Sequence, residues 1–129
     1  MTPKPVILIG APVDSGKARR GCVMGPDAYR VAGIAKALND LGHEVRDMGN
    51  LTPAPATAPS SLPDHLVCPS ETIGWTQTLS EAAETALEEG VPIFLGGDHS
   101  LSLGSALGAA RHAARQNRPQ YVLWLDAHS

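Results

Sequence analysis

The sequence has few of the features that mark disulfide-bonded, membrane-spanning or nucleic-acid-binding proteins. Only 2 of its 129 residues are cysteine, and only 4% are aromatic. No apolar run reaches the roughly 18 residues that a membrane-spanning helix needs. The formal net charge is −3, which argues against nucleic acids and anionic membranes as partners because both select basic surfaces.

The two cysteines, Cys22 and Cys68, are far apart and lack the paired spacing of a zinc site. We interpret them as reduced, buried thiols of a cytoplasmic protein. The apolar N-terminal stretch is too short and too interrupted by proline and glycine for a secretory signal. The hydrophobic fraction of 43% is too high for a disordered chain, and the length predicts one domain.

Apolar runs and amphipathic segments alternate along the chain in the order β-α-β-loop-α-β-α-β. Five of the 11 prolines lie within 51–69, which predicts a long surface loop there. Continuous apolar strands between amphipathic helices predict an α/β fold whose parallel sheet is covered on both faces. The predicted strands are 6–9, 43–48, 91–95 and 121–125, and the predicted helices run from Pro26 to Gly42, from Ser70 to Gly90, and along Leu103, Leu107, Ala110 and Ala114.

Polar side chains follow the last two predicted strands, where ligands of open parallel sheets bind. His99 follows the third strand, and Asp126 and His128 follow the fourth. Asp126 and His128 are two residues apart, so in an extended segment their side chains point to the same side. A carboxylate and imidazoles suit Mn²⁺, Zn²⁺ or Fe²⁺, although a histidine at a strand end is often purely structural.

Three other motifs are weaker evidence for a functional site than the two strand-end clusters. The segment from Gly10 to Lys17 resembles a phosphate-binding loop, but it has five residues between its glycines and alanine after its lysine. The adjacent residues 98–100 contain Asp, His and Ser, whereas the members of a catalytic triad come from distant points in the chain. The basic stretch 111–118 is interpreted as the solvated last turns of a helix.

The two strand-end motifs resemble the first two metal motifs of the ureohydrolase superfamily, which contains the arginases and agmatinases. These motifs are Leu95-Gly-Gly-Asp-His-Ser100 and Trp124-Leu-Asp-Ala-His128. The N-terminal half is similar to bacterial arginases in the segments 9–12, 20–26 and 41–49. The resemblance implies a three-layer α/β/α fold with a parallel sheet that is incomplete at the C-terminus. It identifies residues 1–129 as the N-terminal portion of a single arginase-like domain.

The resemblance also implies an activity, the hydrolysis of L-arginine to L-ornithine and urea. Family members hold two Mn²⁺ ions, and a metal-bridging hydroxide attacks the guanidinium carbon of the substrate. Matched by position, His99 binds one ion, His128 binds the other and Asp126 bridges them, with no catalytic residue beyond these ligands. Gly97, Asp98 and Ser100 are expected to support the site. The resemblance further implies a cytoplasmic protein with a small-molecule substrate and a homo-oligomeric intact parent.

The family pattern extends beyond the second motif, and this limits the expected activity. Family members have another aspartate ligand two residues after the histidine and two more in a later Asp-x-Asp motif, whereas this sequence ends at Ser129. The chain is therefore expected to carry part of the site and to be inactive in isolation. Two alternatives stay open: part of an agmatinase or other guanidino hydrolase, or a catalytically inactive short protein that binds metal or oligomerises.

Overall fold

A three-stranded parallel sheet organises the residues that this computed structural model describes, 4–17 and 19–126. The strand order is β2-β1-β3, with β1 in the centre. The elements along the chain are β1 (Val6–Ala11), α1 (Gly25–Val31), α2 (Ile34–Asp40), β2 (Val45–Asn50), α3 (Pro69–Glu89), β3 (Val91–Gly96) and α4 (Leu101–Arg115).

Strand β1 is buried along its whole length because helices cover both faces of the sheet. Val6 and Leu8 pack in one cluster with residues of α2, and Ile7 and Ile9 pack in another cluster with Ala86 of α3. This alternation is the two-residue period of a strand. The predicted α/β fold, with a parallel sheet between two helical layers, is therefore confirmed.

The single helix predicted from Pro26 to Gly42 is wrong, because the structure divides it into α1 and α2. Gly33 lies between them with a φ of 88°, a left-handed conformation that an α-helix does not contain. The break rotates the two halves relative to each other. Val31 of the predicted apolar face is consequently exposed, while Ile34 and Leu38 pack against the sheet.

Helix α4 approaches α3 closely at two glycines, and Leu101 at its start packs against the cluster that contains Trp75 and Leu79. A Cβ atom on Gly104 would lie 2.5 Å from Leu79 Cβ, and one on Gly108 would lie 2.4 Å from the Ser80 carbonyl oxygen. The absence of side chains allows the two helices to approach closely. The predicted apolar face is wrong, because its four residues, Leu103, Leu107, Ala110 and Ala114, are all exposed to solvent. The buried positions of α4 are instead Gly104, Gly108 and Ala113.

The fourth predicted strand, 121–125, is wrong among the described residues, because this segment has no regular secondary structure. A strand needs a hydrogen-bonded neighbour and cover for its apolar faces. The apolar side chains here are instead open to solvent, from 50% exposed at Trp124 to 86% at Leu125. The local sequence favours a strand, but the described residues do not supply the packing that stabilises one.

The proline-rich segment 51–69 contains no strand, and its only helical residue is Pro69, which begins α3. The predicted loop is therefore confirmed, apart from that last residue. The N-cap of α3 is Cys68, so the cap predicted at Ser70 is two residues too late. Both cysteines are free thiols, but Cys22 is half-buried and Cys68 is exposed, so the prediction of buried thiols is wrong. None of the described helices is both long enough and apolar enough to span a membrane.

Candidate metal centre

The turn after β3 is built around Gly97 and Asp98. A Cβ atom on Gly97 would lie 2.5 Å from both the backbone nitrogen and the carbonyl oxygen of Val13, so only glycine fits there. The backbone N–H of Asp98 donates to the Val13 carbonyl over 2.8 Å. The chain segment that follows β1 and the turn that follows β3 are thereby joined at the carboxyl edge of the sheet.

The buried carboxylate of Asp98 is occupied by protein donors. Its Oδ2 accepts the backbone N–H of Gly16 over 2.7 Å. Its Oδ1 accepts both the backbone N–H of Ser100, at 2.9 Å, and the Ser100 hydroxyl, at 2.5 Å. The carboxylate therefore stabilises the turn on either side of His99 and is not oriented as a metal ligand.

Two of the three candidate ligands lie side by side in the structure. Nδ1 of His99 is 2.5 Å from Oδ2 of Asp126, although the residues are 27 positions apart in the chain. The ring of Trp124 lies against the His99 ring, with a distance of 5.1 Å between the ring centroids and 48° between the planes. The third candidate, His128, lies outside the described residues. The structure therefore brings an imidazole nitrogen and a carboxylate oxygen to one point.

His99 and Asp126 share an open cleft of about 440 Å³ at this edge of the sheet. The His99 side chain is 47% exposed and that of Asp126 is 21% exposed, so solutes reach both. An imidazole and a carboxylate are ligands that Mn²⁺, Zn²⁺ and Fe²⁺ accept. The described residues contain no group of three or more His, Cys, Asp or Glu side chains that could hold a metal ion. The donor pair thus fits part of a metal site.

Sequence reasoning missed Asp14, a fully buried residue in the loop between β1 and α1. Its Oδ2 accepts the backbone N–H of Gly21 over 2.9 Å, and its Oδ1 accepts that of Cys22 over 3.2 Å. The hydrogen bond from Gly21 is the main reason that the pKa of Asp14 lies below its ordinary value. A buried carboxylate that uses the loop amides is incompatible with a phosphate cradle, which agrees with the sequence argument against one. The one available signal was an aspartate ahead of a glycine-containing loop.

A second polar network lies where α1 meets the carboxyl ends of β1 and β2. The guanidinium of Arg30 donates to both carboxylate oxygens of Asp47, over 2.8 and 2.9 Å, and to Oδ1 of Asn50 over 2.6 Å. It also donates to Asp27 over 3.0 Å. A Cβ atom on Gly10 would lie 1.8 Å from Asn50 Oδ1, so a larger residue there would displace the network.

The Arg30–Asp47 pair makes stability depend on pH in acid. The Arg30 hydrogen bond, and to a smaller extent the Gly49 N–H, hold the pKa of Asp47 below its ordinary value. The stabilisation is therefore complete above the unfolded-state pKa, near pH 4, and is lost as the pH falls through the lower folded-state value. We expect the free energy of unfolding of Asp47→Asn, measured by urea denaturation, to fall less steeply below pH 4 than that of the unmodified chain. Equal acid slopes in the two proteins would contradict this assignment.

Comparisons with known proteins give a consistent result. A family model described as the arginase family matches residues 4–129. The arginase of Brucella melitensis is 51% identical over 123 residues, which are 95% of this chain and 40% of that protein. The arginase of Agrobacterium fabrum is 44% identical over 126 residues. This chain thus spans about 40% of the length of these curated relatives.

Solved structures show the same similarity. The native structure of the Bacillus caldovelox arginase at pH 5.6 superposes with a TM-score of 0.73 and 34% identity, covering 84% of this chain and 37% of that one. The arginase of Bacillus subtilis superposes with a TM-score of 0.71 and 33% identity over the same share of this chain. The structural similarity therefore covers most of this chain.

Proposed function

Because this chain belongs to the arginase family, we propose that it contributes part of the active site of an enzyme that hydrolyses L-arginine to L-ornithine and urea. One observation carries the proposal: Nδ1 of His99 and Oδ2 of Asp126 meet 2.5 Å apart in an open cleft at the carboxyl edge of the sheet. This is where open parallel sheets bind their ligands. The proteins that this chain resembles are named as arginases.

We assign three ligands to the proposed manganese site: His99, Asp126 and His128. Bound Mn²⁺ ions would lower the pKa of the water that attacks the guanidinium carbon. The chain's own residues hold the donors in place. Asp98 fixes the turn on both sides of His99 through its bonds to Gly16 and Ser100, and such outer partners orient a ligand and maintain its affinity.

Protons compete with a metal ion for the nitrogen of an imidazole ligand, so we expect metal binding to weaken in acid. The adjacent Asp126 carboxylate offers a negative charge that offsets part of the charge of a cation. The Trp124 ring lies beside the His99 ring, with 5.1 Å between the ring centroids. These three side chains thus provide an oriented nitrogen and an oxygen donor on a partly shielded surface.

The proposal extends to the setting of the site. We place residues 1–129 as the N-terminal portion of a single arginase-like domain and expect the chain by itself to be inactive, because it spans about 40% of its relatives' length. We propose a cytoplasmic location, which the two free thiols support. The intact enzyme is proposed to act on a small molecule and to form a homo-oligomer.

A chimeric enzyme tests this proposal. The segment of the Brucella melitensis arginase that matches this chain is replaced by residues 1–129, and urea release is measured with saturating Mn²⁺. We expect the chimera to hydrolyse arginine and the chain alone to release no urea above background. Asp40→Asn in the chimera is the control, since Asp40 is an exposed residue paired with Lys36 on α2.

Three results would count against the proposal. A folded chimera that binds no Mn²⁺ and releases no urea would show that this chain does not complete the site. A chimera that releases urea from agmatine and not from arginine would favour the agmatinase alternative. Robust turnover by the chain alone would contradict the part of the proposal that assigns it an incomplete site.

A further inference from the structure

We propose that Asp14 is a positioning residue for the proposed metal ligand His99, acting through the loop between β1 and α1 and through Asp98. The inference rests on the proposed function, because it concerns how that site is held. The described part of this loop comprises residues 14–17 and 19–22. Residues 10–17 resemble a phosphate-binding loop in sequence, but the structure gives this segment a different organisation.

The loop closes around the carboxylate of its own residue Asp14. Asp14 is 2% exposed and accepts the backbone N–H groups of Gly21 and Cys22, seven and eight residues further along the chain. The ammonium group of Lys17 lies 3.9 Å from the same carboxylate. A loop of this length has no strand or helix of its own, so these contacts determine its path. Without the charged acceptor, two backbone donors would be left with weaker partners.

The second step connects the closed loop to the turn after β3. Gly16 donates its backbone N–H to Asp98 Oδ2 over 2.7 Å, and the Val13 carbonyl accepts the N–H of Asp98 over 2.8 Å. A Cβ atom on Gly16 would lie 2.9 Å from both Asp98 Oδ1 and Ser100 Cβ, so the loop rests directly on the turn. Gly16 is thus placed by the loop and in turn places Asp98.

The third step connects Asp98 to His99. The second oxygen of Asp98 holds the backbone N–H and the hydroxyl of Ser100, so the residues before and after His99 are both fixed. His99 itself extends to Asp126. A change in the loop therefore reaches the ligand through two hydrogen bonds, and a ligand displaced by a fraction of an ångström binds its ion less well.

The electrostatics of the loop agree with this chain of contacts. The Cys22 side chain is the main reason that the pKa of Lys17 is raised, and the charges of Asp14 and Asp98 raise it further. The Lys17 ammonium group lies beside the buried carboxylate of Asp14, at 3.9 Å. Buried charges are a costly means of gaining stability alone, which favours a role in placing the turn.

The test compares Asp14→Asn with Asp40→Asn, which makes the same change on the exposed surface of α2. Asparagine has nearly the shape of aspartate, but its NH₂ group cannot accept a hydrogen bond. One of the two backbone N–H groups therefore loses its acceptor. Mn²⁺ affinity is measured by calorimetry at a temperature where every variant is folded by circular dichroism. We expect the dissociation constant of Asp14→Asn to rise by about 10- to 100-fold and that of Asp40→Asn to stay unchanged.

A second readout needs no metal. In the metal-free chain we expect Asp14→Asn to shift the NMR signals of the His99 ring and of the Gly16 and Ser100 amides, and Asp40→Asn to leave them in place. If Asp14→Asn does not fold, Gly16→Ala replaces it, since the added methyl group presses on Asp98 and Ser100. The same rise in dissociation constant is then expected, together with shifts of the His99 ring and of the Ser100 amide.

The outcomes separate this inference from the proposed function. A variant that unfolds at a lower temperature but keeps the wild-type Mn²⁺ affinity and His99 signals would show that Asp14 serves stability alone, and the inference would be wrong. If the unmodified chain and the chimera bind no Mn²⁺, the proposed function fails. The His99 signals of Asp14→Asn still decide whether the loop positions the turn.

Discussion

Replacing His99 with alanine is expected to weaken Mn²⁺ binding by about 100-fold or more. His99 supplies one of the two described donors, and loss of an outer partner alone reduces metal affinity by about 10- to 100-fold. Removal of the donor itself is expected to have the larger effect, because one of the two described ligand side chains is then missing. The measurement is a calorimetric titration of the metal-free chain with Mn²⁺ at neutral pH.

His43→Ala is the matched control, because His43 is exposed in the turn between α2 and β2. We expect its affinity to equal that of the unmodified chain. Asp126→Asn should resemble His99→Ala, since the amide removes the negative charge at the same point. If His99→Ala and His43→Ala bind Mn²⁺ equally well, the ion is held elsewhere and the proposed ligand set is wrong.

Replacing Gly97 with alanine is expected to destabilise the fold by about 3 kcal/mol or more, at the upper end of what overpacking costs. The added Cβ atom would lie 2.5 Å from two backbone atoms of Val13 and 2.6 Å from the Ala11 carbonyl oxygen. Backbone atoms at the end of the central strand and in the segment just after it cannot move aside as the end of a flexible side chain does. The segment after β1 and the turn after β3 would therefore have to separate.

Urea denaturation measures this effect, with Ser61→Thr as the control. Ser61 is exposed in the loop before α3, so its added methyl group should change the free energy of unfolding by less than about 0.5 kcal/mol. We also expect Gly97→Ala to weaken Mn²⁺ binding, because the turn carries His99. Equal stability of the two variants would show that the turn is far less tightly packed than the distances indicate.

The sheet was predictable because its signal is local and repeated. The apolar run of β1 and the helices on either side already require a buried parallel strand. The division between α1 and α2 was not predictable from the apolar spacing, because Ile34 and Leu38 continue the period of Val31. Only the left-handed backbone of Gly33 ends the helix there, and a glycine inside an apolar period does not by itself reveal that conformation.

The strand predicted at 121–125 was wrong for a different reason. Its residues favour a strand in any local measure, yet strand formation depends on neighbours that the sequence pattern cannot supply. Some residues of the candidate site could likewise be predicted from the sequence, and others could not. His99 and Asp126 were predictable because both follow predicted strands in recognisable motifs. Asp14 was not, because its link to the turn is a contact between Gly16 and Asp98, 82 residues apart.

The most direct test of the central claim is paramagnetic broadening of the NMR spectrum of the labelled chain by substoichiometric Mn²⁺. We predict that amide signals from 97–100 and 124–126 broaden first, together with the His99 ring, and that His99→Ala abolishes this pattern. The α3 surface around Glu81, Glu88 and Glu89 is the internal comparison. Broadening that begins on α3, or that is unchanged in His99→Ala, would contradict a metal centre built on His99 and Asp126.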